Sequence, residues 1–542
     1  MATHNTKLSL TVFIDQPDSV SGFIFGSPKQ FVSSSAGAVD GSTIVSTTLN
    51  PTTSDMFVGY WVECIDDPTN KGNIGLRRRI SSVVAATDTL TVDKFPYQVS
   101  SAATFWLLIP QHVWMAEDTG SSAIAVKDAT RNEANDYWNG TAQEGGPRIE
   151  TISATTVPKT STYLVTDFVQ TAGVASATLG ANTAVGDLYE IWQHLEPSDV
   201  TFDLTQENID RPIQGVYESD TQIRSNRSGS GNLVLPFRGP GNGRAGSASE
   251  CHRVMKCVLD ATSNSDLTVD NGSSTSSVAY SSGTAVVGKM YLTQEGDAFM
   301  CTVAGSPATP SPTLEYAPTN DSTITGMYTY TPSTDINYAL AAKRYQGDGI
   351  IEYILGIAPD FKVSGELNQP LKLEYPLQVT DWARIVNEAA GQHTRAWNAT
   401  RSTISPVALR GIRLKVDNTS YSCKSFNFAL NTDLQRKGNL NAPNGSDGYQ
   451  AVGYNPTGQI VAYVDSSTIA SVDDFLGSVQ RTCLIQCGTK GGFPGCFALY
   501  LTKMSYSNVS ISDDSGLLTV TIDYKLDRSA VTGLPQLAIG VA

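Results

Sequence analysis

The feature that most constrains the fold lies near the end of the chain. Leu518, Val520, Ile522, Tyr524 and Leu526 alternate with Thr519, Thr521, Asp523 and Lys525. A period of two puts one set on a buried face and the other in water, which is the signature of a half-buried strand. Ile412, Leu414 and Val416 alternate with Arg413, Lys415 and Asp417 in the same way. Between these runs, Ser471-Val472-Asp473-Asp474-Phe475-Leu476 reads as an N-cap, acidic residues in a first helical turn, and apolar residues to bury. Together the patterns predict a sheet with one short helix against it, and no reactive group stands out.

At 542 residues the chain is too long for one ordinary core, so two to four domains are expected. Charged residues are only 16% and glycines number 46, a balance that suits strands and turns better than long helices. The expected fold class is mainly β and multi-domain, a β-sandwich or barrel core with a few short α-helices plus additional small β domains.

Lys and Arg total 37 against 52 for Asp and Glu, a formal net charge of -15. A protein that grips nucleic acid needs the opposite sign, because neutralised phosphates supply most of that affinity. No stretch approaches the roughly 20 apolar residues of a membrane span. Residues 1–15 lack an apolar run behind a basic start, so no secretory signal is expected and the chain reads as made in a cytoplasm. Eight cysteines are too sparse for a disulfide framework, and reduced, mostly buried thiols are expected.

Residues 1–195 hold short strands separated by Ser/Thr/Gly turns, and 57–65, 80–84, 89–92 and 105–109 form a compact antiparallel unit. A Val-Gly pair precedes a strand at 58–62, 185–189 and 287–291, either because glycine opens many strands or because a small β module repeats. From 196 onward, strands at 200–204 and 233–237 are joined by a long polar connection, 205–232, carrying Glu207, Asp210, Arg211, Glu218, Asp220, Arg224 and Arg227. So long a connection is uncommon unless it has a role or is disordered. A helix is expected over 247–261, where Ser247 and Glu250 have capping-box spacing and Val254, Met255, Val258 and Leu259 form a stripe. Residues 262–325, rich in Ser, Thr, Gly and Pro, read as an insertion. A further helix is expected over 381–390, capped by Thr380 and stopped by Gly391.

Candidate chemistry is sparse. Cys483, Cys487 and Cys496 lack a neighbouring histidine and zinc-ribbon spacing, so they read as core residues. Cys251, His252 and Cys257 fall on the expected helix, where the two thiols point apart. The glycine-rich run 239–244 lacks the Gly-Lys-Ser/Thr ending of a phosphate loop. Asp473 and Asp474 are explained by the helix dipole. No catalytic, cofactor-binding or metal-ligating residue is expected, nor an enzyme. Arg77, Arg78 and Arg79 form the sharpest basic cluster; alternation sends Arg78 to the opposite face. The cluster reads as a solvated edge that discourages sheet-to-sheet aggregation, with an interface to an acidic neighbour as the alternative.

The order of elements from Glu196 onward resembles tail tube proteins of long-tailed bacteriophages. The residues that carry it are the strand, long loop and strand over 200–237, the helix from Ser247, Ile336-Asn337-Tyr338-Ala339-Leu340 leading to 349–356, and Phe361-Lys362-Val363-Ser364-Gly365-Glu366-Leu367. The closing segments 421–431, 458–464, 471–479 and 517–526 are similar as well. The resemblance covers about the last two thirds and rests on patterns. It implies a tail-tube core over 196–542, interrupted by the 262–325 insertion, in hexameric rings that stack around a tape-measure protein into a DNA conduit. Tail terminator or tip proteins would be partners and the virion tail the location. Residues 1–195 and the insertion depart from a minimal tube subunit and are expected on the outer surface, where removal would leave rings intact. The 205–232 connection is expected to be an arm that orders against the adjacent ring. Another virion structural protein, such as a minor tail, decoration or host-adhesin protein, is the alternative.

Overall fold

A computed structural model of the chain describes residues 10–14, 29–52, 57–108, 114–116, 125–128, 147–153, 162–164, 167–171, 174–178, 187–195, 197–209, 223–239, 251–262, 267–269, 280–282, 286–293, 297–303, 313–315, 323–332, 340–346, 350–386, 407, 412–417, 419–438, 446–488, 495–528 and 534–541. Among the described residues the chain is mainly β, with α-helix confined to His252–Met255 and Ala470–Leu476. Of the helix expected over 247–261, residues 247–250 with Ser247 and Glu250 lie outside the described residues, and the rest holds a single turn. Leu259–Thr262 is a strand paired with Tyr328–Pro332, and Val254, Met255, Val258 and Leu259 all enter the main core. The helix expected from Asp381 is also replaced. Asp381–Val386 is a strand whose ladder runs from Ile350↔Val386 to Leu355↔Asp381. An existing strand supplies a complete row of main-chain partners, and Trp382, Ile385 and Val386 suit a pleated surface better than a helical one.

The principal sheet begins with the hairpin Asp199–Ile209 and Ile223–Pro236, in register from Asp199↔Val234 to Ile209↔Ile223. The segment read from sequence as a long connection is therefore largely strand. Pairing continues through Lys372–Val379, Lys362–Glu366, Cys423–Ala429, Thr457–Tyr463, Leu517–Leu526, Phe497–Asp514, Gln480–Cys487 and Arg413–Val416, every step antiparallel. The long strand Phe497–Asp514 changes partner along its length. Residues 497–501 pair with Leu537–Val541, and residues 504–514 with Leu517–Leu526. This switch folds the sheet over on itself, sandwich-like, so that Phe237 meets Phe497 edge to face at 5.4 Å.

Inside lie Leu233, Leu235, Phe361, Phe428, Ile460, Ile522 and Tyr524, among others. The expected alternation holds at Leu414 and Val416 and at Val520, Ile522, Tyr524 and Leu526, all buried. It fails at Leu518. The neighbouring strand ends with the pair Tyr463↔Thr519, so Leu518 lies past the end of the sandwich and is about half exposed. Gly458 is required where it stands, because a Cβ there would be 2.5 Å from the Asn427 carbonyl oxygen and 2.3 Å from the Tyr524 hydroxyl.

The 262–325 insertion contributes six strands between Leu267 and Gly326 that form a sheet of their own. Its Met290, Tyr291, Phe299, Met300 and Cys301 share one core with Leu484, Ala498, Tyr500 and Ala538 of the principal sheet. Alternation explains the unbroken burial of 497–501. Phe497, Leu499 and Leu501 face the main core, while Ala498 and Tyr500 face the insertion. A polar clamp holds the same junction: the Ala298 amide donates to Gln486 Oε1 at 2.9 Å, and Arg413 Nη1 donates to the Ala298 carbonyl at 3.2 Å. The insertion is a third layer, and it cannot be lifted off without exposing the back of the principal sheet.

Residues 29–108 form a six-stranded sheet around Phe31, Ile44, Val62, Leu90 and Phe105, in keeping with the compact antiparallel unit expected there. Among the other described strands before 195, two are continuous with the rest of the protein. Leu10–Ile14 pairs on one side with Asp187–Leu195 and on the other with Leu340–Gln346, so a sheet runs across the boundary placed at 195.

Candidate functional site

A cluster of buried charge lies where the 29–108 sheet meets the body of the protein. Arg77–Val84 pairs antiparallel with Trp61–Asp66, placing Trp61 opposite Arg79 and Glu63 opposite Arg77. Strand alternation puts Arg77 and Arg79 on one face and Arg78 on the other. Arg78 stays with its own sheet, its guanidinium 5.4 Å from the Phe95 ring centroid and its Nε donating to the Lys94 carbonyl at 2.7 Å.

Arg77 and Arg79 face the body. Arg77 Nε donates to Glu63 Oε2 at 2.7 Å and Nη1 to Asp381 Oδ2 at 2.5 Å. Its side chain is only 3% exposed, so two carboxylates balance a guanidinium that has lost its water. Burial alone would lower the Arg77 pKa, but Asp381 and Glu63 outweigh it and hold the charge more firmly than usual. Arg79 Nη1 donates to the Tyr353 hydroxyl at 2.7 Å, and Trp61 meets the Tyr353 ring edge to face at 5.2 Å. The arginine cluster expected to be a solvated edge is thus a buried joint within the chain. Its acidic neighbour is Asp381, 304 residues further on.

On the opposite face of the same body strands from Tyr353 and Asp381 lies further paired charge. Arg344, Glu352 and Arg384 are cross-strand neighbours on three adjacent strands. Glu352 is fully buried and accepts from Arg344 Nε at 2.6 Å and Arg384 Nε at 2.9 Å. The Trp382 ring packs against the guanidinium groups of Arg227 and Arg384, 5.6 and 5.5 Å from its centroid, and its Nε1 donates to the Thr205 carbonyl.

Of the residues expected to form an inter-ring arm, Glu207 and Arg224 lie in the paired strands of the 199–236 hairpin. Asp210, Arg211, Glu218 and Asp220 fall outside the described residues. Arg227 is buried at the joint, where it donates to the Gly75 carbonyl and lies 3.8 Å from Glu63. Of the seven, the structure thus describes Glu207, Arg224 and Arg227, and it places Arg227 in the joint. What sequence reading missed is the joint itself. The sign of it was the arginine triplet with alternate residues on one face, but the partner Asp381 read as the start of a helix.

The cysteines are all free, and burial pushes the Cys423 and Cys496 thiols up to about 12, unreactive at neutral pH. Cys483 and Cys487 face the main core and Cys496 the core of the insertion. Among the described residues no group of three His, Cys, Asp or Glu side chains could hold a metal ion. Residues 240–244 of the glycine-rich run lie outside them. No protein-family model matches this sequence, and no curated protein matches it.

The helix Ala470–Leu476 forms where expected but with its polarity inverted. Its buried side chains are Ser471 and Asp474, while Leu476 is 75% exposed. Ser471 is not an N-cap; its hydroxyl donates to the Thr468 carbonyl at 2.6 Å. Asp474 faces inward because Arg481 grips both of its oxygens, at 2.9 and 2.6 Å. No helix among the described residues is long and apolar enough to cross a membrane.

Proposed function

We propose that this chain is a non-enzymatic structural subunit of a phage tail tube, forming stacked hexameric rings through which DNA passes. The observation that carries the reading is an open sheet edge. Asp199–Ile209, eleven residues long, pairs only with Ile223–Pro236 among the described residues. A row of main-chain donors and acceptors on its outer side can be completed by a neighbour's strand, and a heterologous contact of this kind closes into a ring when its rotation allows. The formal charge of -15 per subunit suits a conduit, because an acidic lining repels phosphate and lets a genome slide. Tape-measure and tail terminator or tip proteins are the partners this role requires, and the virion tail is its location.

Native mass spectrometry of the full chain tests the ring: a six-subunit species supports it, and a monomer at every concentration rejects it. A mobility-shift assay with duplex DNA should show no salt-sensitive retention. A decoration or host-adhesin protein of the virion is the second reading, supported by the separately cored 29–108 sheet. Saturable binding to bacterial surface polysaccharide without ring formation would favour it.

A further inference from the structure

Among the described residues, two surfaces that no other strand covers stand at opposite ends of the same pair of strands. The pair Cys423–Ala429 and Thr457–Tyr463 runs the length of the sandwich, from Cys423↔Ala462 to Ala429↔Thr457. Past Ala429 the chain does not turn back. It continues as the ribbon Thr432–Gly438 and Ser446–Tyr454, paired from Thr432↔Tyr454 to Gly438↔Ser446. The body stops at the ribbon's root, where the Leu430 amide donates to the Phe361 carbonyl and the Thr432 amide to Asp360 Oδ1. At about 3.3 Å per residue the ribbon reaches roughly 20 Å beyond it.

Among the described residues this ribbon pairs with no other strand, and none of its described side chains is buried. A Cβ added at Gly438 or Gly453 would meet nothing within 4 Å. Val452 and Tyr454 are exposed. A two-stranded ribbon in water is marginal unless another surface covers it, and both of its edges are open to main-chain pairing.

The other end of the sandwich carries the complementary surface. Register places Glu366 beside Ser425, Tyr463 beside Thr519, and Asp514 beside Leu517. An ion pair between Lys424 and Asp514 ties this end together. Leu367, Ile469, Ile511, Leu517 and Leu518 are exposed there, a concentration of large apolar side chains that a monomer does not need. The charges are matched to the ribbon. Around the apolar rim stand Glu366, Asp465, Asp513 and Asp514 against Lys424, whereas the outer half of the ribbon carries Arg436 and Lys437 against Asp447.

We infer that the 432–454 ribbon of one copy docks on the rim formed by Leu367, Ile511, Leu517 and Leu518 of the next copy. The two surfaces lie at opposite poles and are different from each other. The contact is therefore heterologous and repeats along one direction instead of closing a two-fold dimer. This inference deepens the tube reading by naming the contact between successive subunits along the axis, and it rests on that reading for its biological role.

Two variants of the chain test it. In the first, Asn431 is joined to Asn455 through a Gly-Ser-Gly turn, which removes the ribbon and leaves the body strands paired. In the second, Leu517→Asp and Leu518→Asp place like charge on the acidic rim. Sedimentation velocity should show end-to-end association weakened by at least about tenfold in each, with circular dichroism unchanged. Rings of the two variants, mixed in equal amounts, should then pair one ring on one ring, since one variant keeps the rim and the other keeps the ribbon. Higher assembly in both variants equal to that of the unaltered chain overturns this contact but leaves ring formation standing. Failure of the mixture to pair while each variant alone is weakened also overturns it. An unaltered chain that is monomeric throughout overturns both this contact and the tube.

Discussion

Removing Arg77 should undock the 29–108 sheet from the body. Arg77→Ala leaves Asp381 and Glu63 in the joint, with side chains 6% and 14% exposed, Asp381 without the Arg77 charge and Glu63 with only Arg227 at 3.8 Å. Breaking a buried pair by deleting one partner costs about 3–5 kcal/mol, because the remaining charge stays desolvated. For a unit of about this size each kcal/mol moves the melting temperature by roughly 4–8 °C. Calorimetry should therefore resolve an early transition, at least about 12 °C below the main one, and limited proteolysis should cut between the unit and the body. Replacing all three groups together, Arg77→Met with Glu63→Leu and Asp381→Leu, removes the desolvation penalty along with the attraction. That variant should recover to within about 1 kcal/mol of the original. A single Arg77→Ala change that shifts stability by less than about 0.5 kcal/mol would refute the joint as the element holding the two parts together.

Joining Thr262 to Met327 by a short Gly/Ser turn removes the insertion at a point where Thr262 and Thr329 are already cross-strand partners. It bares Leu484, Ala498, Tyr500 and Ala538, and should cost about 4–7 kcal/mol of burial, seen as dye binding and aggregation that Leu484→Thr with Tyr500→Thr relieves. Acid should loosen the 29–108 sheet through Asp67. Burial alone would raise its carboxyl, but hydrogen bonds from Ser100, Asn70 and Asn73 outweigh this and hold it below the ordinary value of 3.8. A depressed folded pKa gives stability that is present above pH 3.8 and is lost as pH falls through the folded value. Denaturation of the unit measured at pH 6 and pH 3 should show this loss in the unaltered chain and less of it in Asp67→Asn.

The mainly-β class and the alternating strands were legible because period-two patterning is local and a single buried face is enough to produce it. The part of the 29–108 sheet from 57 onward was legible for the same reason, whereas its strands Lys29–Val32 and Thr43–Val45 were not. Asp381–Val386 was not. Its Thr-Asp start carries a true local capping signal, and only the distant strand Ile350–Pro359, with its row of main-chain partners, reveals that the signal is overridden. The long segment 205–232 looked like a loop because its residues are polar, yet a strand can be polar when its partner supplies the ladder. Thr205, Ser228 and Ser230 read as loop residues in isolation but sit in paired strands. The helix 470–476 was found by its acidic first turn, whereas its orientation depended on Arg481, which no local pattern links to Asp474. The charged joint was hidden most deeply, since its halves, Arg77 and Asp381, are far apart in sequence and each has an ordinary local explanation.

Electron microscopy of the negatively stained, full-length protein after concentration at near-physiological salt tests the central claim most directly. The account predicts hollow tubes of regularly stacked six-fold rings with the 29–108 sheets as projections on the outside. Uniform single particles with no ring and no tube, under conditions where the chain is folded by circular dichroism, would contradict it.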